Sequence, residues 1–431
     1  MLNTNRLSQK AISGSFTPEF FAFLAASGLL LFPVQFGLQL QGFIYGIQFD
    51  LWRICVFLLL YSVLLKCLLT KNPLRLSISS VDKWVYVFCG IFIASVFWSL
   101  YPLHSARQAV DIAINLLFYI ALINILAESH ARTRFWSIWL MSTPWINGFL
   151  TLFYFIAYGG LRAASVSGDP IDISNLLAVT SIMSIPILWA STNLAGPLLR
   201  RINSFGLIIA LLIVFFSQSR AGIFTSAFVM IATAFLLARQ GIIGFFKVVF
   251  ITVLIGLLAL IFSKSYLVTQ TYDEIIKRVH KTVFTSSIQE ARSIGQDIGR
   301  AHMYDATKTI LRDDPLLGIG VRSLKPYIEE RFDLPRGWIA HGFPIEILTN
   351  VGLIGAIPFI ILMYTIFRQL GTASLPLTSR GKRENIYNTM LIVSFLGFML
   401  HSLFRPVILE PYFYTFCAIF STNLKQLKGF H

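Results

Sequence analysis

The sequence predicts an all-α polytopic membrane protein, with about twelve helices crossing a bilayer and one large loop on a single face of it. Three observations predict this class. Of the 431 residues, 56% are hydrophobic and only 13% charged, whereas soluble domains carry about 45–50% and about 25%. The apolar residues fall in runs close to the roughly 20 residues that a helix needs to cross about 30 Å of hydrocarbon, and they lack the strict alternation of strands. Finally, Lys and Arg are distributed unequally between alternate loops, which is how membrane topology is encoded.

The runs predict helices at 18–40, 51–70, 83–101, 107–127, 135–158, 173–191, 204–218, 221–238, 244–263, 343–367, 387–404 and 407–424. The N-terminus is polar, with Arg6 and Lys10, and the first run reads as a retained helix rather than a cleaved signal. The seventh and eighth runs meet at Ser217-Gln218-Ser219-Arg220, which must be a tight turn or a broken helix.

With both termini in the cytoplasm and sides alternating, the cytoplasmic segments hold most of the basic residues, such as Lys66, Lys71, Arg75, Arg200, Arg201, Lys382 and Arg383. The short outer loops hold only Arg53, Arg107, Arg162, Arg220 and Arg405. The long loop at 265–341 is left out because long segments translocate largely regardless of charge. The chain divides into nine helices over 1–264, the loop domain 265–341, and three helices over 342–431. The net charge of +15 then reflects topology and an affinity for anionic membrane lipids. No basic-aromatic module for nucleic acid is visible, and no nucleic-acid partner is expected.

The outer loop has ordered character. Tyr272 to Phe284 reads as an amphipathic helix with Ile275, Ile276, Val279 and Val283 on one face. Ser286 to Gly299 is polar and punctuated by glycine. Arg300 to Arg312 reads as a second helix, ended by Asp313-Asp314-Pro315 because proline disfavours helix in the residue before it. Leu317-Gly318-Ile319-Gly320-Val321 is a glycine turn. Tyr327 to Arg336 and Trp338 then lead to His341, where the loop re-enters the membrane.

Few residues in this chain can carry chemistry. Arg220 sits at the membrane edge; such an ionisable residue is a functional candidate, and equally a snorkelling side chain at a helix end. Arg300, read alone, is one loop arginine among many. His341 suits general-base work near neutral pH, and equally a satisfied polar role. Retaining glycosidases need a close carboxylate pair, but Asp169 with Asp172 and Asp313 with Asp314 adjoin prolines and fit turns. Cys55, Cys67, Cys89 and Cys417 lie in apolar runs without metal-ligand spacing and read as packing residues. No zinc site, phosphate-cradling glycine loop or serine elbow is apparent, so neither metal nor cofactor is expected. Two arginines and a histidine on one face suit an anionic lipid-linked donor, because guanidinium forks bind diphosphate oxygens bidentately.

The order of these residues resembles the O-antigen ligase and polymerase superfamily of bacterial envelope glycosyltransferases. The resemblance is carried by Ser217-Gln218-Ser219-Arg220-Ala221-Gly222, by Gly299-Arg300-Ala301-His302-Met303-Tyr304, by Pro315-Leu316-Leu317-Gly318-Ile319-Gly320, and by His341 with Glu346, Gly352, Leu353, Ile354 and Gly355. It covers roughly positions 215–360, and Gly160 to Asn175 is similar to the family's loop containing Arg162. The chain departs from the family at Gly342, where members commonly have Asn.

The resemblance implies a multi-pass protein of the bacterial inner membrane with its active site on the periplasmic side. The implied reaction is metal-independent, inverting transfer of a glycan from undecaprenyl diphosphate to a hydroxyl of the lipid A core in lipopolysaccharide. Arg220 and Arg300 are the implied diphosphate-binding residues and His341 the catalytic base. Arg162 and Glu346 are supporting residues; Glu346 either orients His341 or is simply structural. A polymerase extending the same lipid-linked glycan is the alternative within the superfamily. A flippase or transporter would instead predict midplane charges and internal repeats; only Asp111 and Arg107, near one helix start, approach that description.

Overall fold

The computed structural model describes residues 17–37, 41–44, 47–70, 74, 79–158, 173–217, 219–243, 297–332, 342–373, 379–404 and 410–427. They form helices α1 (Pro18–Gly37), α2 (Leu51–Thr70), α3 (Ser80–Ala94), α4 (Pro102–Ile125), α5 (Ser129–Tyr158), α6 (Ile173–Leu194), α7 (Pro197–Phe216), α8 (Arg220–Arg239), α9 (Asp297–Asp313), α10 (Leu324–Phe332), α11 (Phe343–Ala373), α12 (Ser379–Ser402) and α13 (Pro411–Leu427). Each span expected from the apolar runs falls on a helix, except the run at 244–263, which lies outside the described residues, as does the amphipathic helix expected at Tyr272 to Phe284. Among the described residues, seven helices are long and apolar enough to cross a membrane: α2, α3 with the 3-10 turn Ser95–Trp98, α4, α6, α7, α8 and α11. Shorter apolar stretches, Pro18–Val34 and Ile386–Ser402, lie in α1 and α12.

The all-helical expectation holds for the class, with one short extended element added among the described residues. Between α1 and α2 the chain forms an antiparallel hairpin, β1 (Gln41–Ile44) with β2 (Ile47–Asp50), in the register Gln41 to Asp50 and Ile44 to Ile47. Aromatic and β-branched residues, Phe43 with Ile44 and Ile47 with Phe49, occur in both strands and favour extended backbone over continued helix.

Helix α6 is the centre of the bundle. Its residues from Ile173 through Ser191 are buried almost without interruption, and α5, α7, α8 and α12 surround it. A second group, α3, α4, α11 and α13, packs beside it, with α1 and α2 closing the side. Lipid tails supply no hydrophobic drive between helices, so close packing and interhelical hydrogen bonds carry the association. Asn147 of α5 donates to Thr180 Oγ1 at 2.8 Å and to Ser181 Oγ at 3.0 Å on α6; such bonds contribute about 0.6 kcal/mol each. Trp139 stacks on Tyr412 of α13 with centroids 6.1 Å apart.

The two ends of the bundle can be told apart by their side-chain contacts. At one end, buried Asp82 caps α3 through Ser79 and accepts hydrogen bonds from Tyr119 near the end of α4 and from Ser421 in α13. Trp136 in the first turns of α5 lies 4.9 Å from Tyr387 in the first turns of α12. At the other end gather the end of α3, the start of α4, the start of α6, the α7–α8 junction, the start of α11 and the end of α12. This is the grouping that an alternating path through a bilayer produces. Arg53 of α2 pairs with Asp111 of α4, so the carboxylate suspected of a midplane role has a basic neighbour on the next helix.

Candidate functional site

The second end holds every described residue of the expected site. Arg220 is the first residue of α8. The serines before it do structural work. Ser219 is the N-cap, its Oγ accepting from the Gly222 N–H at 3.1 Å, and the Ser219 N–H donates to Ser217 Oγ at 3.2 Å. A cap of this kind contributes about 1 kcal/mol. The Ser219 hydroxyl also donates to Asn175 Oδ1 at 2.7 Å, fastening the junction to the first turn of α6. Arg220 therefore stands at a helix N-terminus, where unpaired N–H groups already favour an anion.

Arg300 lies in the first turn of α9, a helix whose Ala306 and Ile310 pack with Ile319, Leu324 and Ile328 and against Ile345 of α11. Helix α9 is thus held to the first turn of α11, one residue after His341 and Gly342. His341 and Arg162 themselves lie outside the described residues. Gly342 has φ 104°, and a Cβ there would approach Leu403 O at the end of α12 to 2.4 Å. The departure from the family's Asn therefore has a steric reason in this chain: the close approach leaves no room for a side chain. The same end of α12 meets α8, with Phe404 6.3 Å from Phe224. Contacts through Phe224, Phe404, Leu403 and Gly342 thus link the helix that begins at Arg220 to the residue that follows His341.

Glu346 is in the first turn of α11, its N–H bonded to Gly342 O at 3.2 Å. Its Oε2 is buried with no hydrogen-bond partner among the described residues.

The glycine motifs shape the backbone at this end of the bundle. Gly352 interrupts α11 with φ 59° and ψ −155°, nine residues or about 14 Å along the helix. Non-helical backbone at such a place needs its hydrogen bonds replaced. The turn after α9 replaces them. Leu353 and Ile354 donate to Pro315 O and Leu316 O at 3.0 and 3.1 Å, while Ile319 and Gly320 donate to Thr349 O and Asn350 O at 2.9 Å each. Two ladder positions of α11 have opened to admit a peptide segment. A Cβ on Gly352 would come within 2.3 Å of Leu316 O.

The far side of that turn is held by the α3–α4 connection. Trp98 Nε1 donates to Leu317 O at 2.9 Å, Leu100 N to Ile319 O at 3.1 Å and Val321 N to Ser95 Oγ at 3.0 Å. Ser105 Oγ donates to Val321 O at 2.5 Å. Tyr101 donates to Glu330 of α10; partial burial and this carboxylate push its phenol well above the ordinary range, so it stays a donor. Composition and motif reading gave no sign of this clamp, nor of Arg322, which closes the turn with φ 59°. A left-handed conformation costs an L residue about 1–2 kcal/mol.

Helices of this length and apolarity define an integral membrane protein, with a glycine turn locked into one of them. Residues 205–360 match the family model described as O-antigen ligase. The match supports the O-antigen ligase superfamily for this segment of the chain. The matched segment runs from within α7 into α11 and takes in Arg220, Arg300, His341, Glu346 and both glycine motifs; Arg162 lies outside it. No curated protein matches the chain.

Proposed function

We propose that the protein is an O-antigen ligase of the bacterial inner membrane, working on the periplasmic side with both termini in the cytoplasm. Its donor is a glycan on undecaprenyl diphosphate and its acceptor a hydroxyl of the lipid A core. Arg220 and Arg300 bind the diphosphate and stabilise the charge that grows on it, in the manner of other preorganised electrostatic sites. His341 takes the proton of the acceptor hydroxyl as its oxygen attacks the anomeric carbon. The bond to the diphosphate breaks, undecaprenyl diphosphate leaves with the electron pair, and a single displacement inverts the anomeric centre. The arginines supply the positive charge, so the transfer runs without a metal. Glu346, one turn after Gly342, is close enough in sequence to orient His341, and Arg162 supports the donor from the segment that precedes α6 in the sequence.

One observation carries the reading. The segment that matches O-antigen ligase holds the start of α8 at Arg220, the helix bearing Arg300 and the entry of α11 after His341 at one end of the bundle. The test is transfer in proteoliposomes given glycan-linked undecaprenyl diphosphate with either rough lipopolysaccharide or more of the same donor. Product on lipopolysaccharide that survives EDTA is the expected result. Longer lipid-linked chains would make the protein a polymerase using the same donor. No transfer to either acceptor, with movement of the donor across the bilayer, would replace the enzyme reading with a flippase.

A further inference from the structure

Arg322 is the one non-glycine residue with positive φ among the described residues. Glycine takes this conformation freely, whereas an L side chain is strained there, and strain that persists is held by its surroundings. The holding contacts lie on both sides. Val321 is fixed by Ser95 and Ser105 through its N–H and its carbonyl. Ser323 N donates to Gly320 O at 3.2 Å, and the Ser323 hydroxyl lies 2.8 Å from Ser99 Oγ. The backbone that bears the guanidinium is therefore rigid.

The guanidinium itself is exposed. Among the described residues it makes a single long hydrogen bond, 3.3 Å to Gln108 Oε1, although a guanidinium offers five donors in a planar fork. Leu324, two residues on, packs in one cluster with Ile345 in the first turn of α11. Arg322 therefore stands beside the first turn of α11, at the end of the bundle where α8 begins. A rigid backbone and a mostly unused fork together make a preorganised anion contact.

We propose that Arg322 is a third anion-binding residue of this site, taking a phosphate-type group of either the lipid-linked donor or the acceptor. This rests on the transfer reading above. Arg322 would hold its anion from the docked turn that follows α9.

The test is binding, by native mass spectrometry in detergent, of two probes: undecaprenyl diphosphate without a glycan, and rough lipopolysaccharide bearing core phosphates. Wild type is compared with Arg322→Gly and Arg322→Lys, and unfolding temperature is measured alongside. Glycine relieves the strained backbone, so Arg322→Gly should unfold at the same temperature or higher while binding one probe about tenfold more weakly. Lysine keeps the charge without the fork and should restore binding only in part. Loss confined to the first probe assigns Arg322 to the donor, and loss confined to the second assigns it to the acceptor. Unchanged binding of both probes by Arg322→Gly would overturn the proposal. So would weaker binding accompanied by a lowered unfolding temperature, which would make the residue structural. Wild-type protein that transfers no glycan would refute the enzyme reading, and the binding comparison would still decide the role of Arg322.

Discussion

Two helical runs are interrupted at the same end of this bundle. Between α7 and α8 the chain turns on Ser217 and Ser219, whose hydroxyls satisfy the freed backbone locally and leave Arg220 at a fresh helix N-terminus. At Gly352 the ladder of α11 opens and is refilled by the backbone of a turn about 35 positions earlier in the chain. The first interruption presents a charged residue and costs little to keep. The second presents no charge of its own in α11, and its partner segment holds the turn that leads to Arg322 in place. In a membrane bundle a broken helix can therefore serve chemistry or serve architecture, and the way its hydrogen bonds are replaced tells which.

Substitutions at the two breaks should separate these roles. Gly352→Ala should have the largest effect. It drives a Cβ into Leu316 O and forces a left-handed residue, at a cost of roughly 2–4 kcal/mol. Unfolding temperature and transfer should fall together. Arg220→Ala should leave the unfolding temperature unchanged and reduce transfer about 10²–10³-fold, the usual loss when one charge-stabilising group is removed. Ser219→Ala removes the cap and the link to Asn175, lowering stability by about 1 kcal/mol, with a smaller loss of transfer than Arg220→Ala. Equal losses from the two would move the chemistry from the cation to the hydroxyl. Trp98→Phe deletes one bond to the docked turn and should cost about 0.5–1.5 kcal/mol, with transfer close to wild type. Chemical unfolding in detergent and initial transfer rates measure all four.

The helical spans were legible because hydrocarbon imposes a length and an apolar composition that leave few alternatives. The hairpin over Gln41 to Asp50 was missed although its signal is local. Phe43 and Ile44, then Ile47 and Phe49, are aromatic and β-branched residues that favour strand; the neighbouring apolar runs drew attention to helix instead. Pro315 to Gly320 could be read as a turn, and Gly352 to Gly355 as a motif. Nothing periodic in the sequence says that they exchange backbone hydrogen bonds, since such pairing depends on three-dimensional approach and not on side-chain pattern. Gly342 is explained only by Leu403, some sixty positions away. Arg322 gave no sequence signal because an arginine in a loop looks the same whether its backbone is strained or relaxed.

The central claim is that this end of the bundle transfers a lipid-linked glycan with His341 as base. The most direct test is initial-rate transfer to rough lipopolysaccharide by wild type and His341→Ala, with undecaprenyl diphosphate binding measured on both proteins. Loss of a general base should slow transfer by about 10²–10⁴-fold while donor binding holds. Equal transfer rates for the two proteins would contradict the account.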